Sequence, residues 1–303
     1  MSLYLGIDAG GTKTESAISN GAELLGQATC ASSKVARVGE EEARRNLHQA
    51  ILRACESARV SPQAIDRVCL GMSGASPAGA RAWAERTIHE LVPGQLKVMG
   101  DHIIAHQAAF GSLPGVLVIA GTGSIAYGRN EKGETARAGG WGAVVSDEGS
   151  AYWIGREALA AALRLHDRSG NNGLLSAISE LWQVGSPEEV LRIANSNAPI
   201  RFAELAATVS AAAEQGDPTA QTITMRAGKE LAALAGAVMA RLWPPGAVVR
   251  VAMTGGVLQS SNPVRRAFQE AIQAEYPKAA LSFAYVRPVL GALAIAAQPG
   301  VLK

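Results

Sequence analysis

Three glycine-rich segments of the chain carry residue types that could bind phosphate. Residues 10–13 read Gly-Gly-Thr-Lys, residues 121–124 read Gly-Thr-Gly-Ser, and Gly255 and Gly256 follow a third apolar run. Glycine lets the backbone approach an anion closely because it has no Cβ, and successive N–H groups in a tight turn form a concavity that suits phosphate oxygens. A single such turn is more often an ordinary hairpin or strand-to-helix connection, so the hypothesis depends on further residues.

Three aspartates lie at positions where a carboxylate could take part in phosphate chemistry. Asp8 lies directly before the first turn, where a carboxylate can hold Mg²⁺ beside phosphates, usually through water. Asp101 follows an apolar strand at 96–99, and Asp147 precedes a helical run that starts at Glu148. A carboxylate within reach of a substrate hydroxyl can accept its proton, and paired acceptor oxygens can bind two sugar hydroxyls. The alternative for Asp101 and Asp147 is a helix N-cap.

Other chemistries find less support in the sequence. There is no Gly-x4-Gly-Lys-Ser/Thr motif and no Gly-x-Gly-x-x-Gly between a strand and a helix, which argues against a P-loop and a dinucleotide fold. The three cysteines, at positions 30, 55 and 69, show no Cys-x-x-Cys spacing, so we expect reduced thiols and a cytoplasmic location. His102 and His106 are spaced like a helical metal pair, but Ile103 replaces the glutamate of a zincin, and both are interpreted as ordinary helix residues.

Composition narrows the class of partner. The chain has 303 residues, 48% of them hydrophobic and 18% charged, with a formal net charge of +2. No run of Lys and Arg exceeds two residues, which argues against nucleic-acid and anionic-membrane partners. The first residues lack a basic segment, and Asp8 interrupts the first apolar run, so neither a signal peptide nor a transmembrane span is expected.

The chain contains one pattern of elements twice. An apolar strand at 3–8 runs into the first turn, then a strand, the hairpin signal Asn20-Gly21 and another strand. The order repeats from 116: apolar strand, Gly/Thr turn, strand, polar turn, strand. Between the copies, apolar residues at spacings of three and four predict a helix over 40–58, and a long helix-rich stretch follows at about 150–245. Alternating strands and helices indicate α/β layers, and the duplication indicates two related halves.

The glycine turns and Asp8 together resemble the sugar kinase, actin and heat-shock chaperone superfamily, in which two ribonuclease-H-like domains close on ATP. The resemblance implies an α/β fold of two such actin-like ATPase domains that face a central cleft, the second with a helical insertion. The expected bounds are 1–112, 113–287 and a C-terminal helix at 288–303 that packs back on the first domain. It implies ATP and Mg²⁺ as ligands, with Asp8 at the metal and the nucleotide contacted by Gly10, Gly11, Thr12, Lys13, Gly121, Thr122, Gly123, Ser124, Gly255 and Gly256.

A longer signature narrows the resemblance. Gly-Gly-Trp-Gly at 139–142, followed by Ser-Asp-Glu-Gly-Ser-Ala-Tyr-Trp-Ile at 146–154, is similar to N-acetylglucosamine kinases of the BadF/BadG/BcrA/BcrD ATPase family. The resemblance implies phosphorylation of the 6-hydroxyl of an amino sugar, most simply N-acetylglucosamine, by a homodimer. It matches Asp101 to the family's catalytic aspartate and matches the sugar contacts to Ser73, Gly74, Asp101, Thr122, Gly123, Asp147 and Ala151. Trp141 and Trp153 could stack on the sugar or fill the core, and the core is expected for Trp153.

One position departs from the family. Where its members carry an asparagine that binds the sugar, this chain has Lys34. A lysine cannot accept a hydrogen bond from a hydroxyl. Lys34 could favour a sugar with a carboxylate, such as N-acetylmuramic acid, and would suit the free amine of glucosamine poorly. It could also point to solvent, with another residue serving the sugar.

Four alternative functions share this fold, and each would need features of its own. An ATPase that activates a partner enzyme would need iron–sulfur cysteines beyond the second turn, and none follows Cys69. A repressor, chaperone or filament protein would share the fold, but a filament protein would have no use for a base at Asp101. Loss of activity on changing Asp101 to asparagine would therefore separate an enzyme from a filament.

Overall fold

A computed structural model describes residues 2–73, 78–170, 172–196, 198–283 and 285–298. The chain divides into two compact units. Unit 1 consists of Met1–Leu113 together with Val286–Lys303, and unit 2 is Pro114–Tyr285.

Unit 1 is built on a five-stranded mixed sheet. Its strands are β1 (Tyr4–Ala9), β2 (Lys13–Ser19), β3 (Leu24–Ala31), β4 (Arg67–Met72) and β5 (Gln95–Gly100). Their order is β3-β2-β1-β4-β5, with β1, β4 and β5 parallel and β2 antiparallel to both of its neighbours. The β2–β3 hairpin turns at the predicted site, where Gly21 has a φ of 94° that few other residues tolerate.

Helices cover this sheet. They are α1 (Val35–Val38), α2 (Glu40–Ala58), α3 (Ala78–His89), α4 (Asp101–Phe110) and the C-terminal α12 (Pro288–Ala297), with a 3₁₀ turn at Pro62–Ala64. The predicted apolar face of α2 is confirmed, since Ala43, Leu47 and Ile51 are at most 1% exposed. Burial of such a stripe is the main source of helix stability in a folded chain.

The helix α12 packs closely against β1 and α4. A Cβ added to Gly6 would lie 2.6 Å from the Leu293 nitrogen, and one added to Gly291 would lie 1.9 Å from the Ile104 carbonyl oxygen. Only glycine fits at these two positions, because any side chain would push the backbones apart. The last described helix therefore belongs to the same packed unit as the first strand.

Unit 2 repeats the sheet of unit 1. Its strands are β6 (Gly115–Ala120), β7 (Ser124–Arg129), β8 (Thr135–Gly139), β9 (Arg250–Thr254) and β10 (Ala280–Ser282). The order β10-β9-β6-β7-β8 is the order of unit 1 read from the other edge, so that β6 corresponds to β1. Strand β6 is parallel to β9, as β1 is parallel to β4. The duplication predicted from the sequence and the α/β class are confirmed.

The helical insertion lies between β8 and β9. It comprises α5 (Ala151–Ser169), α6 (Gly173–Trp182), α7 (Pro187–Ser196), α8 (Ala198–Glu214) and α9 (Pro218–Leu242), and two helices follow β9, α10 (Gly256–Ser260) and α11 (Asn262–Glu275). Helix α9 begins at Pro218 because Asp217 caps it and proline is favoured in the first turn. None of the helices in the described ranges is long and apolar enough to cross a membrane.

Candidate active site

The carboxyl ends of the three parallel strands in unit 1 bring the predicted polar residues to one edge of the sheet. Asp8 is the penultimate residue of β1, Ser73 follows β4 directly, and Asp101 follows β5 as the first residue of α4. In the register of the sheet, Asp8 pairs with Gly71. The carboxyl edge of parallel strands is where α/β folds commonly bind ligands. Gly74, the remaining unit 1 residue expected to contact a sugar, lies outside the described residues.

The carboxyl group of Asp8 lies in an environment that disfavours its ionised form. The pKa of Asp8 is raised from 3.8 to about 7, mainly by burial and further by the charges of Asp101 and Glu15, while Lys13 lowers it. Desolvation and neighbouring negative charge both disfavour the ionised carboxylate. In the described part of the chain, no group of three or more His, Cys, Asp or Glu side chains could hold a metal ion. A metal at Asp8 would therefore need ligands such as phosphate oxygens and water, the set that Mg²⁺ commonly takes.

Asp101 presents a half-exposed carboxylate whose orientation is fixed by the next residue. Its Oδ1 accepts a hydrogen bond of 2.9 Å from the backbone nitrogen of His102, and the ring Nδ1 of His102 lies 3.6 Å from the same oxygen. Gly100 is the N-cap of α4, so Asp101 is not the cap that the alternative interpretation required. With Oδ1 engaged, Oδ2 is the oxygen available to a substrate.

His102, which its helical spacing predicts to be an ordinary helix residue, lies beside Asp101. A Cβ added to Gly100 would lie 2.3 Å from His102 Cε1, so the imidazole folds back over the residue before the helix. Helical periodicity alone could not reveal this, because the contact depends on the turn from β5 into α4. Adjacency to Asp101 was the only available signal.

Ser73 carries a buried polar atom that the described residues leave unpaired. Its Oγ is buried and, among the described residues, makes no hydrogen bond. Buried hydroxyls are nearly always satisfied, and an orphan costs about 1–3 kcal/mol. A ligand hydroxyl at this edge of the sheet would satisfy it.

Lys34 lies in a segment that is bonded to the first glycine turn. Ser32 Oγ donates to the Gly10 carbonyl at 3.0 Å, and Ser33 Oγ lies 2.8 Å from Thr14 Oγ1. The backbone nitrogen of Lys34 donates a hydrogen bond of 3.2 Å to Ser32 Oγ, and Lys34 is half-buried. Lys34 is therefore held beside the turn by its backbone.

The first turn leaves space around its central glycine. The Gly10 nitrogen donates to the Lys13 carbonyl at 3.0 Å and closes the turn. A Cβ added to Gly11 would meet no atom within 4 Å, and Thr12 is exposed. Lys13 directs its Nζ to Glu15 Oε1 at 2.8 Å. Neither packing nor a positive φ requires glycine at position 11, so the space fits a ligand that approaches the backbone.

The second turn in unit 2 brings a buried carboxylate against its glycine. Asp147 is 7% exposed, and its Oδ2 would lie 2.7 Å from a Cβ added to Gly123. A Cβ added to Gly121 would meet no atom within 4 Å. Ser124 Oγ donates a hydrogen bond of 2.7 Å to the Glu148 carbonyl. The structure thus joins two regions that are far apart in sequence, the second turn and the 146–154 signature.

Asp147 is not the helix N-cap that the alternative interpretation assigned to it. Helix α5 begins at Ala151, and Ser150 caps it by accepting from the Trp153 nitrogen at 3.2 Å. Asp147 has a φ of 66°, a left-handed conformation that aspartate tolerates better than most residues. The three residues between Asp147 and the helix direct its carboxylate toward Gly123 instead.

The third glycine pair lies at the carboxyl end of β9, beside the second turn. Gly255 has a φ of 96°, and its Cβ would lie 2.4 Å from the Ala120 carbonyl oxygen. Gly256 begins α10, and a Cβ there would meet nothing within 4 Å. Gly255 is therefore required by the fold, whereas Gly256 leaves room for a ligand.

The two tryptophans of the signature differ in environment. Trp153 is buried in the core of unit 2, as expected for its helical position. Trp141 is 67% exposed, with the Arg137 guanidinium 4.2 Å from its ring centroid. An exposed ring can stack on an apolar ligand face.

Comparison with known proteins identifies relatives over nearly the whole chain. The model of the BadF/BadG/BcrA/BcrD ATPase family matches residues 5–296. A Clostridium acetobutylicum protein named N-acetylmuramic acid/N-acetylglucosamine kinase is 31% identical over 283 residues, which is 92% of each chain. A Dictyostelium discoideum protein named N-acetyl-D-glucosamine kinase is 27% identical, with 97% of each chain covered.

A solved structure shares the fold. A proposed N-acetylglucosamine kinase from Chromobacterium violaceum has a TM-score of 0.80 to this chain at 24% sequence identity, and the match covers 98% of this chain and 99% of that one. The α/β fold with two domains predicted from the sequence is thereby confirmed.

Proposed function

The chain belongs to the BadF/BadG/BcrA/BcrD ATPase family, and from this membership we propose that it is an ATP-dependent kinase that phosphorylates the 6-hydroxyl of an amino sugar. The observation that carries the proposal is the convergence of Asp8, Ser73 and Asp101 at one edge of the unit 1 sheet. The two relatives described above, both named for amino-sugar kinases, support the same reaction.

Asp101 is proposed as the residue that accepts the proton of the attacking hydroxyl. Its Oδ1 is held by the His102 backbone, so Oδ2 can face the 6-hydroxyl and take its proton as the bond to phosphorus forms. Phosphoryl transfer depends on in-line placement and charge neutralisation more than on covalent chemistry from the protein. General-base assistance contributes about 10²–10⁴-fold.

Asp8 is proposed to hold Mg²⁺ on the phosphates of ATP. Negative charge from Asp101 and Glu15 acts on its carboxylate, which favours a divalent cation at this position. The bound cation would supply neutralisation of phosphate charge. Asp8 itself would orient the ion, through water or directly.

The glycine turns are proposed to bind the nucleotide. Gly11, Gly121 and Gly256 each have open space where a Cβ would stand, so phosphate or adenosine atoms can approach the backbone. The full proposed set is Gly10, Gly11, Thr12 and Lys13 in unit 1 and Gly121, Thr122, Gly123, Ser124, Gly255 and Gly256 in unit 2.

The proposed sugar contacts begin with Ser73, whose buried Oγ has no hydrogen-bond partner in the described part of the chain. The set continues with Gly74, Asp101, Thr122, Gly123, Asp147, Ala151 and Lys34. N-acetylglucosamine is the first candidate substrate. N-acetylmuramic acid is the principal alternative, because Lys34 could pair with its carboxylate and the 31% identical relative is named for both sugars. Glucosamine is the third candidate.

The decisive experiment measures Mg²⁺-dependent ADP release with a panel of sugars: N-acetylglucosamine, N-acetylmuramic acid, glucosamine, N-acetylmannosamine and glucose. Turnover that depends on one amino sugar, with a 6-phosphate product identified by NMR, is the expected result. Hydrolysis that is independent of sugar would instead indicate an ATPase that activates a partner enzyme. Comparison of the wild type with Lys34→Asn tests whether Lys34 selects the carboxylated sugar.

The role of Asp101 is tested with Asp101→Asn. The amide keeps the shape of the side chain but cannot accept the proton, so we expect kcat to fall by about 10²–10⁴-fold with little change in the KM for the sugar. Asp167→Asn, which removes an exposed carboxylate on α5, is the matched control and should keep full activity. Near wild-type turnover of Asp101→Asn would remove Asp101 from the mechanism.

We also propose an oligomeric state and a cellular location for the protein. We expect a homodimer in the cytoplasm with reduced thiols, and the three cysteines are free and buried. Light scattering coupled to size-exclusion chromatography measures the assembly directly.

A further inference from the structure

The second glycine turn shows how its peptide groups are oriented. The Gly121 carbonyl accepts a hydrogen bond of 2.9 Å from the Ala151 nitrogen, and the Thr122 carbonyl accepts one of 3.4 Å from the Tyr152 nitrogen. The donors are the first two residues of α5, whose N–H groups have no partner within the helix. Two successive carbonyls of the turn are therefore held by the element beside it.

The first turn has the same arrangement with different donors. Gly10 and Gly11 follow the last residue of β1 as Gly121 and Thr122 follow the last residue of β6. The Gly10 carbonyl accepts from Ser32 Oγ at 3.0 Å, and the Gly11 carbonyl accepts from a guanidinium nitrogen of Arg37. Where unit 2 uses backbone groups of a helix, unit 1 uses two side chains.

The Ser32 donor of unit 1 is itself held in place. Ser32 is 3% exposed, and its own carbonyl accepts a hydrogen bond of 2.8 Å from Asn46 of α2. The Ser33 nitrogen donates to Thr14 Oγ1 at 3.0 Å. A satisfied buried network of this kind fixes one geometry, because each broken bond would leave an unpaired polar group. Ser32 and Ser33 are thus a fixed support for the turn, and Arg37 follows them in the short helix α1.

Holding these carbonyls decides where the N–H groups point. The peptide bond is planar and trans, so its N–H points opposite to its C=O. The Gly11 and Thr12 N–H groups consequently face away from the Ser32–Arg37 segment. Within the described residues neither group donates to a protein acceptor, and the space beside Gly11 is open. Two parallel free donors form the kind of concavity that binds an anion.

We propose that Ser32 and Arg37 are positioning residues of the phosphate turn, which hold the Gly10 and Gly11 carbonyls so that the Gly11 and Thr12 N–H groups donate to a nucleotide phosphate. This inference rests on the proposed function, since it assumes that the turn receives the phosphates of ATP. Arg37 acts through the turn and makes no contact with the nucleotide.

The test compares Arg37→Met, Arg37→Lys and Ser32→Ala with the wild type. Methionine keeps much of the side-chain length but has no donor, and lysine restores a donor. Arg45→Ala, which removes an exposed arginine of α2 that pairs with Glu41 and Glu42, is the matched control. The measurements are the KM for ATP, the KM for the sugar, kcat, the Tm, and calorimetric binding of Mg²⁺ with a non-hydrolysable ATP analogue.

The expected result is specific to the nucleotide. Arg37→Met and Ser32→Ala should each raise the KM for ATP and the Kd of the analogue about tenfold, as for the loss of one charge-assisted or buried hydrogen bond. The KM for the sugar should change little. The Tm should change little in Arg37→Met and fall by a few degrees in Ser32→Ala, because that change leaves the Gly10 carbonyl and the Lys34 N–H without their partner. Arg37→Lys should recover most of the affinity, and Arg45→Ala should match the wild type.

Other outcomes overturn the inference. Unchanged analogue binding in Arg37→Met and Ser32→Ala, or a loss confined to the sugar, would show that the carbonyl contacts do not orient the turn. Weaker analogue binding in Arg37→Met, with wild-type binding in Ser32→Ala, would indicate that Arg37 contacts the phosphate directly. If the wild type itself neither binds the analogue nor phosphorylates any sugar, the proposed function fails. That outcome is distinct from a failure of this inference, in which the wild type binds the analogue and the variants bind it equally well.

Discussion

At the scale of single residues, the carboxyl groups of the site illustrate how position decides chemistry. Asp8 and Asp101 are chemically identical and belong to neighbouring parts of one sheet edge. Asp8 is half-buried, and partial burial together with neighbouring negative charge raises its pKa to about 7, whereas the side chain of Asp101 is 39% exposed. A partly desolvated carboxylate that must ionise suits a cation site, because the cation compensates the lost hydration. The exposed one can meet a substrate hydroxyl directly.

The raised pKa of Asp8 predicts an unusual effect on stability. Between pH 3.8 and about 7 the folded protein retains a proton on Asp8 that the unfolded chain has released, so stability falls as the pH rises through this window. Asp8→Asn removes that loss. In EDTA at pH 8 we expect the Tm of the variant to exceed that of the wild type by roughly 5 °C, with the difference disappearing near pH 4.

Thermal unfolding followed by circular dichroism measures this effect. Asp167→Asn should show no pH-dependent gain. A variant that is equally or less stable than the wild type at pH 8 would contradict the burial penalty at Asp8. We also expect Asp8→Asn to lose kinase activity, the usual cost of stabilising a functional site.

At the scale of elements, each proposed ligand site lies where a strand ends and a turn begins. The reason is geometric: parallel strands end at one edge, and the turns after them expose backbone N–H groups there. Glycines in these turns have two different functions. Gly255 is required by its positive φ and by the nearby Ala120 backbone, while Gly256 is restricted by neither.

This difference predicts opposite effects for two adjacent substitutions. Gly255→Ala should lower the Tm by several degrees, because its Cβ would lie 2.4 Å from the Ala120 carbonyl oxygen and its φ is strained for alanine. Gly256→Ala should keep the wild-type Tm and raise the KM for ATP, because its methyl group enters the proposed nucleotide space. Differential scanning fluorimetry and steady-state kinetics distinguish them. An unchanged KM for ATP in Gly256→Ala would count against a nucleotide contact there.

At the scale of the whole molecule, the chain is a duplicated sheet with a helical insertion in the second copy and a C-terminal helix that returns to the first. The return of α12 depends on glycines at the contact. Gly6 lies under Leu293, and Gly291 lies against Ile104 and Ala108 of α4. Unit 1 is therefore discontinuous in sequence, and its stability depends on the last part of the chain.

Gly291→Ala tests this dependence. The methyl group would lie 1.9 Å from the Ile104 carbonyl oxygen, so α12 and α4 must separate, and overpacking of this kind typically costs about 1–3 kcal/mol or more. We expect a Tm lowered by roughly 5 °C. Leu290→Ala, one residue earlier and 39% exposed, serves as the control and should cause a much smaller loss. Equal effects of the two substitutions would show that the close helix contact does not stabilise unit 1.

The sequence by itself determined the element pattern, the duplication and the family. Apolar runs and helical periodicity depend on local chemistry, so β1, β6 and the buried face of α2 could be predicted from residue types alone. The glycine turns and the 146–154 signature are also local, and they indicated the class of reaction. Helix starts were less certain: the cap of α5 is Ser150 and not Asp147, because both residues can cap and only the backbone conformation distinguishes them.

The tertiary structure decided which of these residues meet. Asp8, Ser73 and Asp101 are separated by more than 90 positions in all, and only the strand order β1-β4-β5 places them at one edge. The contact of Asp147 with Gly123, the imidazole of His102 beside Asp101, and the bonds from Ser32 and Arg37 to the first turn have no periodic signal in the sequence. Each depends on side-chain direction and on the packing of distant segments, and these are properties that local patterns of residues do not encode.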